Sequence, residues 1–300
     1  MSGLTDCTLC PRMCHVNRRE KRGFCGVGQL AKVALVSLHK WEEPVIAGEN
    51  GAGTVFFSGC NLRCMFCQNH EISHGATGIE ITDERLGEIF YEQQLRGAAT
   101  LDLVTPTHFI PQIINGIILA QKKGFCLPVV YNSSGYENLA SLDLLKEYID
   151  VFLPDLKYYS PDLSREYSKA PDYFSVTSAA IKKMVQNTGP IVVDDGILKR
   201  GVLVRHMVLP GSRKDSMKLL EWLWSEFGDN IMVSLMRQYT PTYKALGHPK
   251  LKRKLTSFEY ESVVDYALEL GFTRCFIQEP QSVGMEFVPR WTGEGVEKFK

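Results

Sequence analysis

Val55-Phe56-Phe57-Ser58-Gly59-Cys60-Asn61-Leu62-Arg63-Cys64-Met65-Phe66-Cys67-Gln68-Asn69 sets three cysteines at C-x3-C-x2-C spacing directly behind a short apolar run. The run reads as the end of a β-strand and the cysteines as the loop that leaves it. Three thiolates this close can hold three irons of a [4Fe-4S] cluster, because soft sulfur ligands suit iron-sulfur chemistry. The fourth iron is then open to a small chelating ligand. A zinc site is the competing reading, but closed structural zinc sites take four ligands, and His70 or His74 would have to supply the fourth.

Outward from that loop, short apolar or β-branched runs alternate with helical patterns, which is the mark of βαβ units and a parallel sheet. The expected strands are 54–57, 101–105, 128–132, 151–156, 202–209, 230–236 and 274–278. A helix is expected over 83–95 with Leu86, Ile89, Phe90 and Leu95 on one side, and another over 111–122 with Gly124 just past its end. A third runs over 257–270 with Phe258, Val263, Tyr266, Ala267 and Leu270. Such units curl right-handedly into a full or partial α/β barrel, although periodicity alone also allows an open doubly wound sheet. Residues 30–52 read as a connecting β segment, so the division expected is 1–52 as an N-terminal extension and 53–300 as the barrel.

The chain has 300 residues, 44% of them hydrophobic, enough for one large core. Its 34 basic and 34 acidic side chains cancel, so no global field recruits nucleic acid or an anionic membrane. The first residues lack a basic stretch followed by an apolar one, and no run approaches the length of a membrane span. A soluble, cytoplasmic protein is expected. Nine cysteines in metal-like groups rather than spread pairs point to a reducing compartment.

The second group is Cys7-x2-Cys10-x3-Cys14-x10-Cys25, with Pro11, Gly23 and Gly26 to make turns. Four thiolates in so short a segment can close around one metal, and zinc and iron fit equally. It would act either as a structural knob pinning an arm with no core of its own, or as an auxiliary iron-sulfur centre that passes electrons. His15 is a further candidate ligand, whereas Cys126 and Cys275 read as small core hydrophobes.

In parallel α/β folds the chemistry sits at the C-terminal strand ends, and here those ends are polar. They carry Thr105-Pro106-Thr107-His108, Asn132-Ser133-Ser134-Gly135-Tyr136-Glu137, Asp155-Leu156-Lys157, Arg205-His206, Arg237-Gln238-Tyr239-Thr240-Pro241 and Gln278-Glu279-Pro280. Singly each is ordinary loop chemistry; together at one end of one sheet they mark a site. His108 and His206 are read as packed side chains as readily as catalysts.

The cluster loop with Phe66 before its last cysteine, Asp155-x-Lys157, and Arg205 followed by Val208-Leu209-Pro210-Gly211 resemble the pyruvate formate-lyase activating enzymes of the radical SAM superfamily. The resemblance is nearer to a branch carrying an N-terminal Cys-x2-Cys-Pro-Arg-x-Cys knob and a Val-Thr-Pro-Thr-His segment, and it covers essentially the whole chain. It implies a partial or near-complete radical SAM barrel, with Cys60, Cys64 and Cys67 on a [4Fe-4S] cluster that binds S-adenosylmethionine. It also places Phe66, Thr105, Pro106 and Thr107 near the methionyl group, Asn132, Ser133 and Ser134 near the ribose, and Asp155, Lys157 and Arg205 at the polar groups of S-adenosylmethionine. One departure is the Thr-Pro-Thr segment, which stands where the activating enzymes carry a Gly-Gly-Glu type. A ligand with an ammonium, a carboxylate and a ribose needs acceptors, cations and small hydroxyls, and these residues supply that set. The competing reading of Asp155 and Lys157 is a surface ion pair.

The implied reaction is reductive cleavage of S-adenosylmethionine to a 5′-deoxyadenosyl radical, fed by an electron donor such as flavodoxin or ferredoxin. Its target would be a glycyl radical enzyme, a small molecule or a peptide. A non-catalytic iron-sulfur or zinc scaffold is the remaining expectation.

Overall fold

The computed structural model describes residues 4–75, 77–279 and 289–297. In chain order its elements are β1 (Ala31–His39), α1 (Pro44–Ala47), β2 (Ala52–Phe57), α2 (His70–Ser73), β3 (Ile79–Ile81), α3 (Asp83–Leu95), β4 (Leu101–Val104) and α4 (Ile110–Gln121). There follow β5 (Val129–Ser133), α5 (Leu139–Leu145), β6 (Val151–Pro154), α6 (Pro161–Ser168), α7 (Tyr173–Thr188), β7 (Val192–Asp194) and β8 (Ile197–Met207). The chain continues through α8 (Arg213–Phe227), β9 (Met232–Met236), α9 (Ser257–Leu270) and β10 (Cys275–Ile277).

Strands β2, β4, β5, β6, β8, β9 and β10 lie side by side in that order and all pair in parallel. β1 adds to β2 antiparallel, β3 adds to β1, and the path ends at β3 and β10 without closing. The result is a partial parallel (β/α) barrel. Sequential parallel neighbours need a crossover between them, which α3, α4, α5, α6–α7, α8 and α9 supply. Residues 31–39 therefore belong to the same sheet as the barrel strands rather than to a separate connector.

The two faces of each strand do different work, because successive side chains alternate. Outward residues such as Val55, Phe57, Leu103, Phe152 and Val204 join the large core under the helices. The inward residues Ala52, Val130, Val151, Leu153, Leu203 and Met232 form a second core, closed by Ile46 of α1. One step further toward the C-terminal ends, the inward positions turn polar: Thr54, Asp102, Asn132, Asp155, Arg205 and Ser234. An apolar floor with a polar layer above it is what positions the site.

α3 starts where Thr82 accepts from the Arg85 N–H, and α9 starts on a capping box of Thr256 and Glu259 and stops at Gly271. Two expected core contacts are corrected. Leu95 is exposed in the last turn of α3, past its buried stripe, and Phe258 is exposed at the start of α9, where its ring lies 5.0 Å from the Arg213 guanidinium. Cys126 is likewise exposed rather than buried: it sits in the α4–β5 turn, where its backbone N–H donates to Gln94. Cys275 is half-buried in edge strand β10. Pro280 lies outside the described residues.

Candidate active site

The loop after β2 is held from two sides. Toward α6, the N–H of Met65 donates to the Tyr167 carbonyl at 2.8 Å and that of Arg63 to the Ser168 carbonyl at 3.2 Å. Toward the N-terminus, Gly59 has φ +88, and any side chain there would meet the Cys25 carbonyl oxygen at 2.7 Å, so only glycine fits the approach. Held this way, Cys60, Cys64 and Cys67 all line one cavity of about 680 Å³. Ser168 donates to the Cys64 Sγ at 3.0 Å, and the Leu62 N–H donates to the Cys60 Sγ at 3.4 Å.

Burial, reinforced by neighbouring Cys64, pushes the Cys60 thiol up to about 12 and the Cys67 thiol to about 11; burial also raises Cys64. Among the described residues no group of three or more His, Cys, Asp or Glu side chains is drawn together in ligating geometry. What fits an iron-sulfur cluster to the trio is its chemistry: three soft sulfur donors on one short loop, facing one cavity. His70 and His74, the alternative fourth ligands, pack instead on Tyr243 at 4.6 and 5.4 Å between ring centres, and neither is among the cavity-lining residues.

Across the cavity, Asp155 binds the Lys157 ammonium at 2.5 Å through one oxygen and the Arg205 Nε at 3.1 Å through the other. The pair is no surface ion pair, since both partners of each contact are less than one-fifth exposed. Burial works against ionisation of Asp155, yet Lys157 and Arg205 together hold its carboxyl below the usual carboxylate range. Arg205 also donates to the Asn132 side-chain oxygen and pairs with Glu42 at 3.1 Å.

Glu42, Glu43 and Asp102 escaped the sequence reading. Burial pushes all three carboxyls up, with the Arg205 guanidinium pulling back. Asp102 is fully buried in β4, where Asn132 donates to it at 3.4 Å, while its other oxygen and Glu43 Oε2 have no hydrogen-bond partner. Asp102 had a legible signal, a lone acid inside the run Leu101-Asp102-Leu103-Val104, because a charge in a buried strand needs a partner. Glu42 and Glu43 had none, since a pair of acids before a proline is ordinary loop composition.

Of the other expected contacts, Phe66, Thr105, Asn132, Ser133 and Ser134 line the cavity. Phe66 packs edge-on against Tyr158 and Tyr239. Thr105 holds φ +60, a strained conformation for a β-branched residue, with its N–H on the Asn132 carbonyl at 2.8 Å. Pro106 and Thr107 are not among the lining residues; the Thr107 hydroxyl turns away to donate to buried Glu137 at 2.7 Å. His206 is packed between the Leu156 carbonyl and Ser216, and His108 reaches the Ser58 carbonyl at 2.8 Å. Both are buried outside the cavity, and burial lowers them to about 4 and about 3.

The N-terminal cysteines lie on the outer side of the cluster loop, and none lines the cavity. Cys7 and Cys10 are buried, Cys14 and Cys25 half-buried. Burial pushes Cys10 up to about 12, with Cys25 and Cys14 adding to it, and raises Cys25, with Cys7 and Cys14 adding to that, so the four thiols are neighbours. His15 pairs with Asp6 at 2.9 Å and is more than half exposed.

An open parallel barrel with a cysteine loop on its first parallel strand and a polar cradle at the strand ends defines a class of cofactor-dependent enzymes. Residues 54–223 match the family model of the radical SAM superfamily. The chain belongs to that superfamily. It is 28% identical over 270 residues to an uncharacterized protein of Methanocaldococcus jannaschii, covering 87% of this chain and 74% of that one.

Among solved structures, SuiB of Streptococcus suis bound to precursor peptide SuiA aligns with TM-score 0.51 and 13% identity, over 73% of this chain and 46% of that one. AdoMet-bound anSMEcpe aligns with TM-score 0.52 and 14% identity, over 74% and 61%. The FeFe-hydrogenase maturase HydG of Carboxydothermus hydrogenoformans aligns with TM-score 0.53 and 15% identity, over 74% and 52%. The chain thus spans about half the length of these three solved structures, and at such identities they share its fold.

Proposed function

We propose that this protein is a radical SAM enzyme that reductively cleaves S-adenosylmethionine, and that it acts as an activase on a backbone glycine of a partner enzyme. The carrying observation is that Cys60, Cys64, Cys67 and the cradle of Asn132, Asp155, Lys157 and Arg205 share one cavity. Cys60, Cys64 and Cys67 would hold a [4Fe-4S] cluster, which would supply the electron for reductive cleavage of the sulfonium carbon–sulfur bond to methionine and a 5′-deoxyadenosyl radical. The protein's own residues do the rest. Asp155 takes the substrate's donors, Lys157 and Arg205 its carboxylate, and Asn132 with Ser133 and Ser134 the ribose. Phe66, Tyr239, Met207 and Met236 keep water from the reacting carbon.

The remaining wall, with Trp41, Phe276, Ile277 and Gln278, leaves space for the hydrogen donor. SuiB and anSMEcpe were each solved with a peptide bound, which favours a peptide segment as that donor. Flavodoxin or ferredoxin is the electron source we assign, and the four N-terminal cysteines take zinc or an auxiliary iron-sulfur cluster.

The test is anaerobic reconstitution, iron and sulfide analysis, and a dithionite assay for 5′-deoxyadenosine. Cluster loading with turnover supports the reading; a protein that binds only zinc at Cys60, Cys64 and Cys67 overturns it. The activase role is checked by electron paramagnetic resonance of a glycyl radical on a co-incubated partner, and 5′-deoxyadenosine made equally fast with a free peptide or small molecule would refute it.

A further inference from the structure

The four-cysteine knob and the cluster loop are locked together by one stack of side chains. Phe24 precedes Cys25, and its N–H donates to the Cys14 Sγ at 3.3 Å, so its backbone is tied to the knob's thiols. Two guanidinium groups sandwich that ring: Arg12, from between Cys10 and Cys14, at 4.1 Å, and Arg63, from between Cys60 and Cys64, at 4.3 Å. Each guanidinium then reaches the cluster loop's backbone. Arg63 donates to the carbonyls of Cys60 and Leu62 at 2.9 Å each and to that of Phe24, while Arg12 donates to the Asn61 carbonyl at 2.8 Å. The Asn61 side chain continues the chain of contacts, accepting from the cavity-lining Ser134 at 3.2 Å and donating to the Tyr136 carbonyl at 2.6 Å.

We infer that Arg12, Phe24 and Arg63 form a positioning clamp, through which the knob sets the backbone of the cluster loop and thereby the electronic and binding properties of the cluster. This rests on the reading that Cys60, Cys64 and Cys67 hold a cluster. The physical argument is short. A cluster's potential responds to the charges and peptide dipoles beside its sulfurs. Arg63 fixes the Cys60–Asn61 and Leu62–Arg63 peptides, Arg12 fixes the Asn61–Leu62 peptide between them, and Arg63 places a cation next to the loop; only a planar guanidinium can stack on Phe24 while donating to three carbonyls. The knob is thus a support of the radical site, whatever metal it takes.

The full chain is reconstituted as wild type, Phe24→Leu, Arg63→Met, Arg63→Lys and the exposed control Arg22→Ala. Iron per chain, the electron paramagnetic resonance of the reduced cluster with and without S-adenosylmethionine, and the reduction midpoint are measured. Phe24→Leu and Arg63→Met are expected to shift the resonance and weaken S-adenosylmethionine binding by about tenfold, the first through the lost cation–π stacking and the second through the lost charge-assisted hydrogen bonds as well. Arg63→Lys recovers the charge without the fork and falls between, and Arg22→Ala matches wild type. Should Arg63→Met fail to fold, Phe24→Leu carries the test alone. Unchanged spectra, midpoint and binding in Phe24→Leu overturn the clamp, whereas a wild type without a cluster signal overturns the underlying reading instead.

Discussion

The two groups of cysteines stand back to back, and they differ in what they face. The trio at 60, 64 and 67 looks into a cavity whose opposite wall carries Asp155, Lys157 and Arg205. The quartet at 7, 10, 14 and 25 looks inward on itself, against a small apolar cluster of Leu4, Leu9 and Val16. Both contain buried thiols raised by desolvation, so thiol chemistry alone does not separate them. Access does. A ligand set that opens on a polar cradle can bind and turn over a substrate, whereas one that closes on its own turns leaves a substrate no place beside it.

The largest effect should come from dividing the two groups by mutation. Cys64→Ala is expected to remove the iron of the cluster loop and reduce 5′-deoxyadenosine formation to the protein-free background. Cys10→Ala is expected to lower the melting temperature and the metal content while leaving measurable turnover. Metal analysis with the dithionite assay on both variants checks this, and equal loss of turnover would break the distinction.

Next is the cradle. Asp155→Asn leaves Lys157 and Arg205 without the carboxylate that pairs them, and breaking a buried pair in this way costs about 3 kcal/mol. Calorimetry should show S-adenosylmethionine binding weaker by roughly 100-fold.

His206 gives a pH signature behind the cradle. Burial lowers it from 6.5 to about 4, against the pull of the Leu156 carbonyl that accepts from its ring and with the Lys157 cation adding to the shift. Below pH 6.5 the unfolded chain takes up the proton and the folded one does not. Stability is therefore intact above that pH, falls between 6.5 and about 4, and loses about 3 kcal/mol in all. Urea titrations across this window should show the slope in wild type and a flatter one in His206→Gln.

The smallest effect belongs to a cysteine in neither group. Cys126→Ser, in an exposed turn, should change stability by less than about 0.5 kcal/mol and leave metal content alone. A larger change by denaturant melt would mean that this thiol takes part in packing or in metal binding.

Much of the barrel is legible in the residues. Helices α3 and α9 fall on the residues their apolar patterns marked, 83–95 and 257–270, and the parallel strands fall within a few residues of their apolar runs. Helix α7 is harder to read: Thr177, Thr188, Val176 and Val185 are weak helix formers, and its stability comes from burying Tyr173, Ile181 and Met184. β8 begins at Ile197, five residues before its apolar run, because it first forms a hairpin with β7. The turn Asp195-Gly196, with both residues at positive φ, was a readable hairpin signal.

By itself the sequence determined the ligand spacing of both cysteine groups and the order of strands and helices, because these depend on neighbours a few residues apart. Only the tertiary structure decided that Glu42, Glu43 and Asp102 gather around Arg205, and that Arg12, Phe24 and Arg63 join the knob to the cluster loop. Those meetings depend on sheet curvature and register. They bring together residues tens to more than a hundred positions apart, and no local pattern records such a contact.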